Sequence, residues 1–302
     1  MATNTINLIT KYSPEILDEI FQKEAVTTIL ERNLNLLKFI NAKTVMIPKY
    51  AIDGLGDYSR ANGFPTGAVT VEWETSTLRK DRGKEFNVDA MDDEETAGIA
   101  FGNVSREFMR TKTVPEVDAY RLSNLYAKAT TANKVTSDIY RNEIIKEFNK
   151  AIKVFDDNEV GTDELVLFIS TEMDLEIKNS AELMKRISQE DYTSEAGITF
   201  KVRKYEGIPI VVVPKARFKT AYVFGDNGFT ADVGAKDMSY MFVHFNAALP
   251  VKKHEKVRVF APDTNQSADA WKFQYRLYHD IFTPDNKQVG IYASTGTIKD
   301  RA

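Results

Sequence analysis

The sequence contains no cysteine and no surplus of basic residues. Among its 302 residues there are 40 lysines and arginines, 44 aspartates and glutamates and 3 histidines, so the formal net charge is −4. The lack of cysteine excludes disulfide bridges, thiolate metal sites and cysteine nucleophiles. The lack of a basic surplus argues against a high-affinity nucleic-acid binder, because such proteins neutralise phosphates with lysine and arginine. Stability must therefore come from packing or from assembly.

The sequence also lacks a long apolar run and a secretory signal. No run approaches the roughly 18 residues that suggest a membrane-spanning helix. The first residues, MATNTINLITKYSPEI, have neither a basic start before an apolar stretch nor a small-residue cleavage site. Apolar residues make up 43% and charged residues 28%, which is typical of a globular chain. We expect a soluble intracellular protein with one large domain or two ordinary ones.

Complete catalytic and cofactor motifs are missing as well. His244, His254 and His279 show neither the spacing of a zinc site nor that of a catalytic base, so we predict ordinary histidines that are hydrogen-bonded or solvated. No phosphate loop, dinucleotide fingerprint or serine-nucleophile motif is complete. The residues therefore predict no enzyme, no metal site and no cofactor.

One cluster of acids stands out against this background. The segment DAMDDEET holds Asp89, Asp92, Asp93, Glu94 and Glu95. It lacks the glycine and the ligand spacing of a calcium loop. Asp92 followed three residues later by Glu95 is typical of a helix start, where carboxylates face the positive end of the helix dipole. We predict a helix N-terminus, with a metal-dependent enzyme built on Asp89 to Glu95 as a remote alternative.

Residues 43–89 predict a long two-stranded ribbon. KTVMIPKY is strand-like, VTVEWETSTL alternates Val69, Val71 and Trp73 with polar residues, and a glycine-rich stretch lies between them. An isolated ribbon is only marginally stable in water, so its apolar face must lie on another surface. No neighbouring segment of the sequence offers that surface.

The remaining chain alternates helices and strands. We predict helices after Ser13, over residues 93–128 with a break at Pro115, over 135–155 and over 174–188. We predict a buried strand over 164–171, a hairpin around Glu206-Gly207, and a strand-rich last third that ends in a hairpin with its turn at TPDNK.

Five stretches of the sequence, taken in order, look familiar. They are DRGKEFNVDAMDDEETAGIAFGNVSREFMRTKTVPEVDAYR, FISTEMDLEIKNS, YEGIPIVVVPKARF, FVHFNAALPVKKHEKVRVFAPD and WKFQYRLYHDIFTPDNKQVGIY. Together they resemble the major capsid proteins of tailed bacteriophages, which have the Hong Kong 97-type coat fold. The resemblance covers residues 43–293. No single stretch is a catalytic signature, so the resemblance rests on all five stretches occurring in this order.

The resemblance implies an α+β chain with an axial and a peripheral domain, an N-terminal arm and a long extended β-hairpin loop. Residues 1–42 would form the arm and a short helix, 43–89 the extended loop, 90–131 the peripheral domain with its spine helix, 132–251 the axial domain and 252–302 the return strands of the peripheral domain. In this family the extended loop reaches over a neighbouring subunit, which would supply the missing cover for Trp73.

The resemblance also implies the function of a major capsid protein. The chain would self-assemble through pentamers and hexamers into an icosahedral or prolate head shell, which encloses double-stranded DNA without sequence-specific binding. We expect it in the virion, after assembly in the cytoplasm of the bacterial host. Because only a short arm precedes the helix at Ser13, we expect a separate scaffolding protein, beside a portal and a decoration protein. The alternative is an encapsulin-type nanocompartment, which shares the fold but encloses protein cargo.

Contacts between subunits would fall on two regions of the sequence. The expected contact residues are Val69, Val71, Trp73, Arg79, Lys80, Arg82 and Lys84 in the extended loop, and Pro284, Asp285 and Asn286 at the TPDNK tip. Some family members also cross-link a lysine of this loop to an asparagine elsewhere. Conceivable partners here are Lys80, Lys84, Asn265 and Asn286. No motif fixes them, and particles that give only monomer on a boiled denaturing gel would exclude the bond.

Overall fold

The computed structural model describes residues 24–32, 38–41, 43–61, 63–91, 106–193 and 199–300. Its helices are α1 (Val114–Lys128), α2 (Ile144–Asp157), α3 (Thr171–Asn179) and α4 (Ala181–Met184). Its strands are β1 (Lys38–Phe39), β2 (Thr44–Ile52), β3 (Val69–Thr77), β4 (Lys80–Asp89), β5 (Lys134–Val135), β6 (Ile139–Tyr140), β7 (Leu165–Ser170), β8 (Ile187–Thr193), β9 (Thr199–Tyr205), β10 (Ile208–Val213), β11 (Tyr222–Gly225), β12 (Gly228–Ala231), β13 (Tyr240–His244), β14 (Leu249–Phe260), β15 (Ala270–Phe282), β16 (Ile291–Ser294) and β17 (Ile298–Lys299). No helix in these ranges is long and apolar enough to cross a membrane. The helix predicted after Ser13 lies outside them.

The predicted ribbon is confirmed between β2 and β3, which pair antiparallel along their whole length. The ribbon ends at Thr77, earlier than the predicted 43–89 range. The chain is fixed there because Leu78 is buried and the Arg79 N–H donates to Asp280 Oδ2 at 2.8 Å. β4 therefore leaves the ribbon and pairs with β15 instead.

A three-stranded antiparallel sheet, in the order β14-β15-β4, continues from the base of the ribbon. β15 is its central strand, and alternate residues of β15 point to opposite faces. Phe273, Tyr275 and Leu277 form the inner face, which packs on Met109 and Val117. The intervening residues form the outer face, which points away from this core.

The helical segment under this sheet runs from residue 106 to Lys128. A π-helical turn, Met109–Thr113, comes immediately before α1 and two residues before Pro115. Proline has no N–H to donate, and a π-helical turn is one way to absorb such an interruption. The break predicted at Pro115 is therefore a bulge in one helical segment. The predicted part over residues 93–105 lies outside the described chain.

A seven-stranded sheet, in the order β5-β16-β13-β7-β10-β9-β8, forms the second unit. All six residues of β7 are buried, because α1 packs on one face of the sheet and α2 on the other. A strand covered on both faces reads as a continuous apolar run, as predicted for 164–171. The predicted hairpin is also confirmed: β9 and β10 meet at Glu206 and Gly207, both with positive φ.

Two helix boundaries differ from the prediction. α2 begins at Ile144 rather than at residue 135, because β5 and β6 occupy the residues before it. The stretch predicted as helical over 174–188 contains the end of α3 and the short helix α4, and β8 begins at Ile187. Helical spacing of apolar residues therefore located these helices but not their ends.

The C-terminal hairpin predicted at TPDNK is wrong. After β15 the chain forms a 3₁₀ helix, Asp285–Gly290, and β16 then pairs with β13 and β5 in the seven-stranded sheet. All four residues of β16 are buried. The side chains of β16 therefore need to be covered on both faces of the sheet. The three-stranded sheet cannot do this, because its outer face points away from the core. The predicted unit 252–302 thus contributes strands to both sheets.

A buried ionic cluster joins residues 24–32 to α1. The Asp118 carboxylate is fully buried and accepts hydrogen bonds from the Thr27 N–H at 3.1 Å, the Thr27 hydroxyl at 2.7 Å and the Val26 N–H at 3.2 Å. Arg217 Nη1 lies 3.2 Å from the same carboxylate. Burial raises the pKa of Asp118, while the hydrogen bonds from Thr27 and the charge of Arg217 act in the opposite direction.

The cluster continues through Arg121, whose side chain is also fully buried. Arg121 donates to the Thr27 hydroxyl at 3.2 Å and to Glu31 Oε1 at 2.8 Å. Asp118 and Arg121 of α1 carry opposite charges, and each forms hydrogen bonds with residues 24–32, the segment that precedes the ribbon. This segment is held to the helix by ionic groups as well as by the apolar side chains Ile29 and Leu30.

Candidate intersubunit surfaces

The ribbon has one apolar face that is uncovered. Cross-strand pairing places Tyr50 opposite Val71, and Ile52 opposite Val69, with Trp73 next along the same side. These five side chains, called the ribbon face below, are between 45% and 71% exposed. In the part of the chain that the structure describes, the Lys38 ammonium lies 5.9 Å from the centroid of the Trp73 ring, and about half or more of the surface of each of the five side chains stays exposed.

The opposite side of the ribbon is anchored only near its base. Val45 and Ile47 are buried in a cluster with Leu78, Leu249 and Phe282. The loop beyond the strands carries further exposed apolar side chains. They are Leu55, Tyr58 and Phe64. The ribbon thus projects from a fixed base, and exposed contiguous apolar surface of this kind marks an interaction site.

The basic residues of β4 make contacts within the subunit. Lys80 Nζ lies 4.1 Å from the centroid of the Phe224 ring, Arg82 donates to Gly225 O at 2.7 Å, and Lys84 donates to Asp226 O at 3.3 Å. Arg82 also forms an ion pair with Glu116 of α1. Burial, followed by the nearby charge of Arg82, lowers the pKa of Lys80. Their role between subunits stays a prediction.

Sequence reasoning missed the hairpin that these cations hold. β11 and β12 pair antiparallel with Phe224 opposite Phe229, around the turn at Asp226-Asn227. Asp226-Asn227, with a glycine on each side and then the aromatic residues, is turn chemistry that favours a hairpin. The signal was present in the sequence, but its docking against β4 depends on residues more than a hundred positions away.

The TPDNK tip lies near the ribbon in the same subunit. The Asp285 N–H donates to Glu74 Oε2 of β3 at 3.1 Å, and Pro284 precedes the 3₁₀ helix that contains Asn286. The structure therefore brings this tip to the polar side of the ribbon. Whether Pro284, Asp285 and Asn286 also contact a neighbour stays a prediction.

The residues considered for a cross-link have ordinary local contacts. Asn265 Nδ2 donates to Ala270 O at 2.8 Å, and Asn265 Oδ1 accepts from the Ser267 hydroxyl at 2.7 Å. Asn286 lines a surface cleft beside His244. These contacts within one chain leave the cross-link untested.

Most of the acidic segment DAMDDEET lies outside the described residues. Asp89 ends β4, and its Oδ1 accepts a hydrogen bond from the Met91 N–H at 2.9 Å, which is a local turn contact. The helix start predicted at Asp92 to Glu95 is therefore not tested. In the ranges that the structure describes, no group of three or more His, Asp or Glu side chains could hold a metal ion.

The prediction of hydrogen-bonded or solvated histidines is wrong for His279. His244 Nδ1 accepts from the Asn246 N–H at 3.2 Å, and His254 is exposed on β14. His279 is buried on the inner face of β15, and its Nδ1 has no hydrogen-bond partner among the described residues. Lys80 and Lys252 stand directly opposite it on the two neighbouring strands. Burial, followed by nearby cations, lowers the pKa of His279 to about 3.

The architecture defines the class of fold: a Hong Kong 97-type coat fold, built from a helix-backed three-stranded sheet, a second sheet with helices on both faces, and a projecting ribbon. Solved structures share this fold. The capsid of the cyanophage P-SCSP1u has a TM-score of 0.57 and 9% identity, with 87% of this chain and 86% of that chain covered. The mature capsid of bacteriophage PhiM1 has a TM-score of 0.52 and 12% identity, with 86% and 83% covered.

A third solved structure is a virus-like particle from Pyrococcus furiosus. It has a TM-score of 0.51 and 11% identity, and 93% of this chain and 96% of that chain are covered. No protein-family model and no curated protein matches the sequence. These likenesses confirm the α+β coat fold that the resemblance implied.

Proposed function

We propose that this chain is a major capsid protein, copies of which assemble through pentamers and hexamers into an icosahedral or prolate shell around double-stranded DNA. The ribbon face carries the proposal, because its five large apolar side chains are held in register on a fixed projection and stay 45% to 71% exposed in the described chain. Burial of one such side chain contributes roughly 1.5–3 kcal/mol. In a self-assembling shell, a second copy of the chain would cover the ribbon face.

The proposed assembly is head to tail. One copy presents its ribbon and the next copy presents a different surface, so the contact repeats and can close into rings. A projecting ribbon enlarges the contact towards the ~2,000 Å² or more of obligate assemblies. We infer that the ribbon is the extended loop, the three-stranded sheet with its helix the peripheral domain, and the seven-stranded sheet the axial domain.

The contents and partners of the shell belong to the proposal too. An acidic chain with a net charge of −4 suits a DNA container, because a lining that bound phosphates tightly would resist packing and release. Strong, salt-sensitive DNA binding by the free subunit would contradict this. A separate scaffolding protein, a portal, a decoration protein, assembly in the host cytoplasm and a place in the virion all stay predictions.

A protein-filled nanocompartment is the second candidate. The fold is not confined to phage capsids, because the chain of the Pyrococcus furiosus virus-like particle and this one cover each other over more than nine-tenths of their lengths. The two candidates differ in what the shell encloses. Nucleic acid in particles from the natural source would favour the virion shell, and a bound enzyme would favour the nanocompartment.

Expression of the chain alone tests the assembly directly. We expect closed shells, or rings of five and six subunits, in negative-stain electron microscopy, with matching light scattering. Assembly should increase with protein concentration, because each added contact buries the ribbon face. A uniformly monomeric and thermally stable protein under varied salt would contradict both candidates.

The substitution Val71→Asp tests the ribbon face. We expect the concentration at which particles form to rise at least ~100-fold, because burying an unpaired carboxylate costs several kcal/mol and about 1.4 kcal/mol corresponds to a factor of ten. Thr70→Asp is the matched control, since Thr70 is the exposed neighbour on the other side of the same strand. The unassembled subunits of both variants should unfold at the same temperature as the wild-type subunit. Equal assembly by the two variants would show that the ribbon face is not the contact.

A further inference from the structure

The outer face of the three-stranded sheet carries a concentration of positive charge. Exposed cations line it along β14 and at the base of the ribbon. They are Lys43, Lys253, Lys256 and Arg258, with His254 between them. Two adjoining depressions of ≈ 390 Å³ and ≈ 530 Å³ run along this surface and share Asp81, His254 and Arg276. This surface is called the cationic face below.

Acids on the same face do not neutralise it. Asp81 is held by Arg276 in a two-pronged ion pair, and Glu85 lies 3.6 Å from Lys272. Lys256 and Arg258 have no ion-pair partner among the described residues. Lys256 also stands directly opposite Arg276 on the neighbouring strand. Like charges directly opposite each other destabilise a sheet, so the stability of the subunit does not explain Lys256.

A complementary acidic patch lies on the other unit of the same chain. Its members are Asp156, Asp157, Glu159, Asp163 and Glu164, all exposed. Within the described chain only Glu164 has an ion-pair partner, His244 at 3.7 Å. Asp156 and Asp157 lie in the last turn of α2, which contains no basic residue. Negative charge opposes the dipole at a helix C-terminus, so the stability of the subunit does not explain these acids either.

We propose that the cationic face of one copy binds the acidic patch of the next copy. The inference rests on the proposed assembly and names one of its contacts. The cationic face belongs to the three-stranded sheet, whereas the acidic patch covers the end of α2 and the segment that leads from it to β7 of the seven-stranded unit. Each copy carries both surfaces, so the contact is head to tail and repeats around a ring. Its charges would set the register of the contact and the rate of association.

Nucleic acid is the competing occupant of the cationic face. Alternate residues of a strand are roughly 7 Å apart, so Lys256 and Arg258 offer a row of cations to any extended polyanion. The observations favour a second copy. The complementary charges are present on this chain, and its net charge of −4 opposes the approach of a polyanion.

Charge reversal and charge exchange test the contact. The variant K256E/R258E reverses the cationic face, and D156K/D157K reverses the acidic patch. Both should fold like wild type, because each removes a locally unfavourable charge. We expect each variant alone to raise the concentration for assembly at least ~tenfold, since like charges brought together cost several kcal/mol. The combined variant restores opposite charges and should assemble within ~3-fold of wild type.

The control variant K185E/K236E makes the same change in net charge at two exposed lysines outside the cationic face. It should assemble like wild type. Three outcomes would overturn the proposal: wild-type assembly by both reversal variants, no recovery in the combined variant, or loss of DNA binding by K256E/R258E with unchanged assembly. Failure of the wild-type chain to assemble at all would instead contradict the proposed function.

Discussion

The substitution Asp118→Ala is expected to lower the free energy of unfolding by about 3–5 kcal/mol, the typical cost of breaking a buried ion pair from one side. Without the carboxylate, Arg217 loses its buried partner. The backbone N–H groups of Val26 and Thr27 lose their acceptor in a place that water does not reach. The segment before the ribbon should therefore detach from α1.

Urea unfolding of the unassembled subunit measures this loss. Asp237→Ala is the control, because Asp237 is also an ion-paired aspartate, with Lys215 and Lys219, but is exposed. Surface ion pairs contribute about 0–1 kcal/mol, so the control should change little. A loss below 1 kcal/mol for Asp118→Ala would mean that the cluster does not hold the segment to the helix.

Acidification is expected to destabilise the subunit through His279. In the folded chain the pKa of His279 is lowered from 6.5 to about 3, so its ring stays neutral between these values. The unfolded chain takes up a proton at this residue as the pH falls below its ordinary pKa. Because the unfolded state then binds more protons, the free energy of unfolding decreases by about 1.4 kcal/mol per pH unit in that window.

The charged groups that act most strongly on His279 are cations, and they disfavour its protonation. Lys80 and Lys252 face it from the adjoining strands, and Arg121 and Arg82 add positive charge. We expect a loss of roughly 2–3 kcal/mol between pH 6.5 and pH 4.5 from this residue alone.

The variant His279→Phe isolates this contribution, because phenylalanine keeps a ring against Tyr120 and does not titrate. Its unfolding free energy should depend less steeply on pH than that of wild type, by about one proton. His254→Gln, at the exposed histidine of β14, should keep the wild-type slope. Identical slopes for wild type and His279→Phe would assign the acid sensitivity to another group.

The sequence predicted those elements whose structure is specified by residues within or next to the element itself. The alternation around Trp73 predicted the ribbon, and the structure shows that its apolar face is uncovered. The apolar run of β7 predicted a strand covered on both faces, and Glu206-Gly207 predicted a two-residue turn. In each case the signal and the structure it specifies lie within a few residues of each other.

Contacts between distant segments could not be read from the sequence. A turn at TPDNK suits a hairpin, but the buried side chains of β16 find their cover in a sheet whose other strands lie far away in sequence. The same limit applies to Lys80, Arg82 and Lys84, which look exposed in the sequence and hold the β11-β12 hairpin in the structure. Alternation along β15 does place His279 on the inner face, so its burial was predictable.

The passage from β3 into β4 has a mechanical consequence. Only Leu78 and Arg79 separate the ribbon from a strand that pairs with ten residues of β15. Hydrogen bonds in an antiparallel ladder lie perpendicular to the strands, so a pull along β4 loads many of them in shear at once. We expect tension on the ribbon to be spread through the whole sheet. A subunit built this way would resist a pull on the ribbon by sharing the load among many hydrogen bonds, whereas a loop on a hinge would yield at one point.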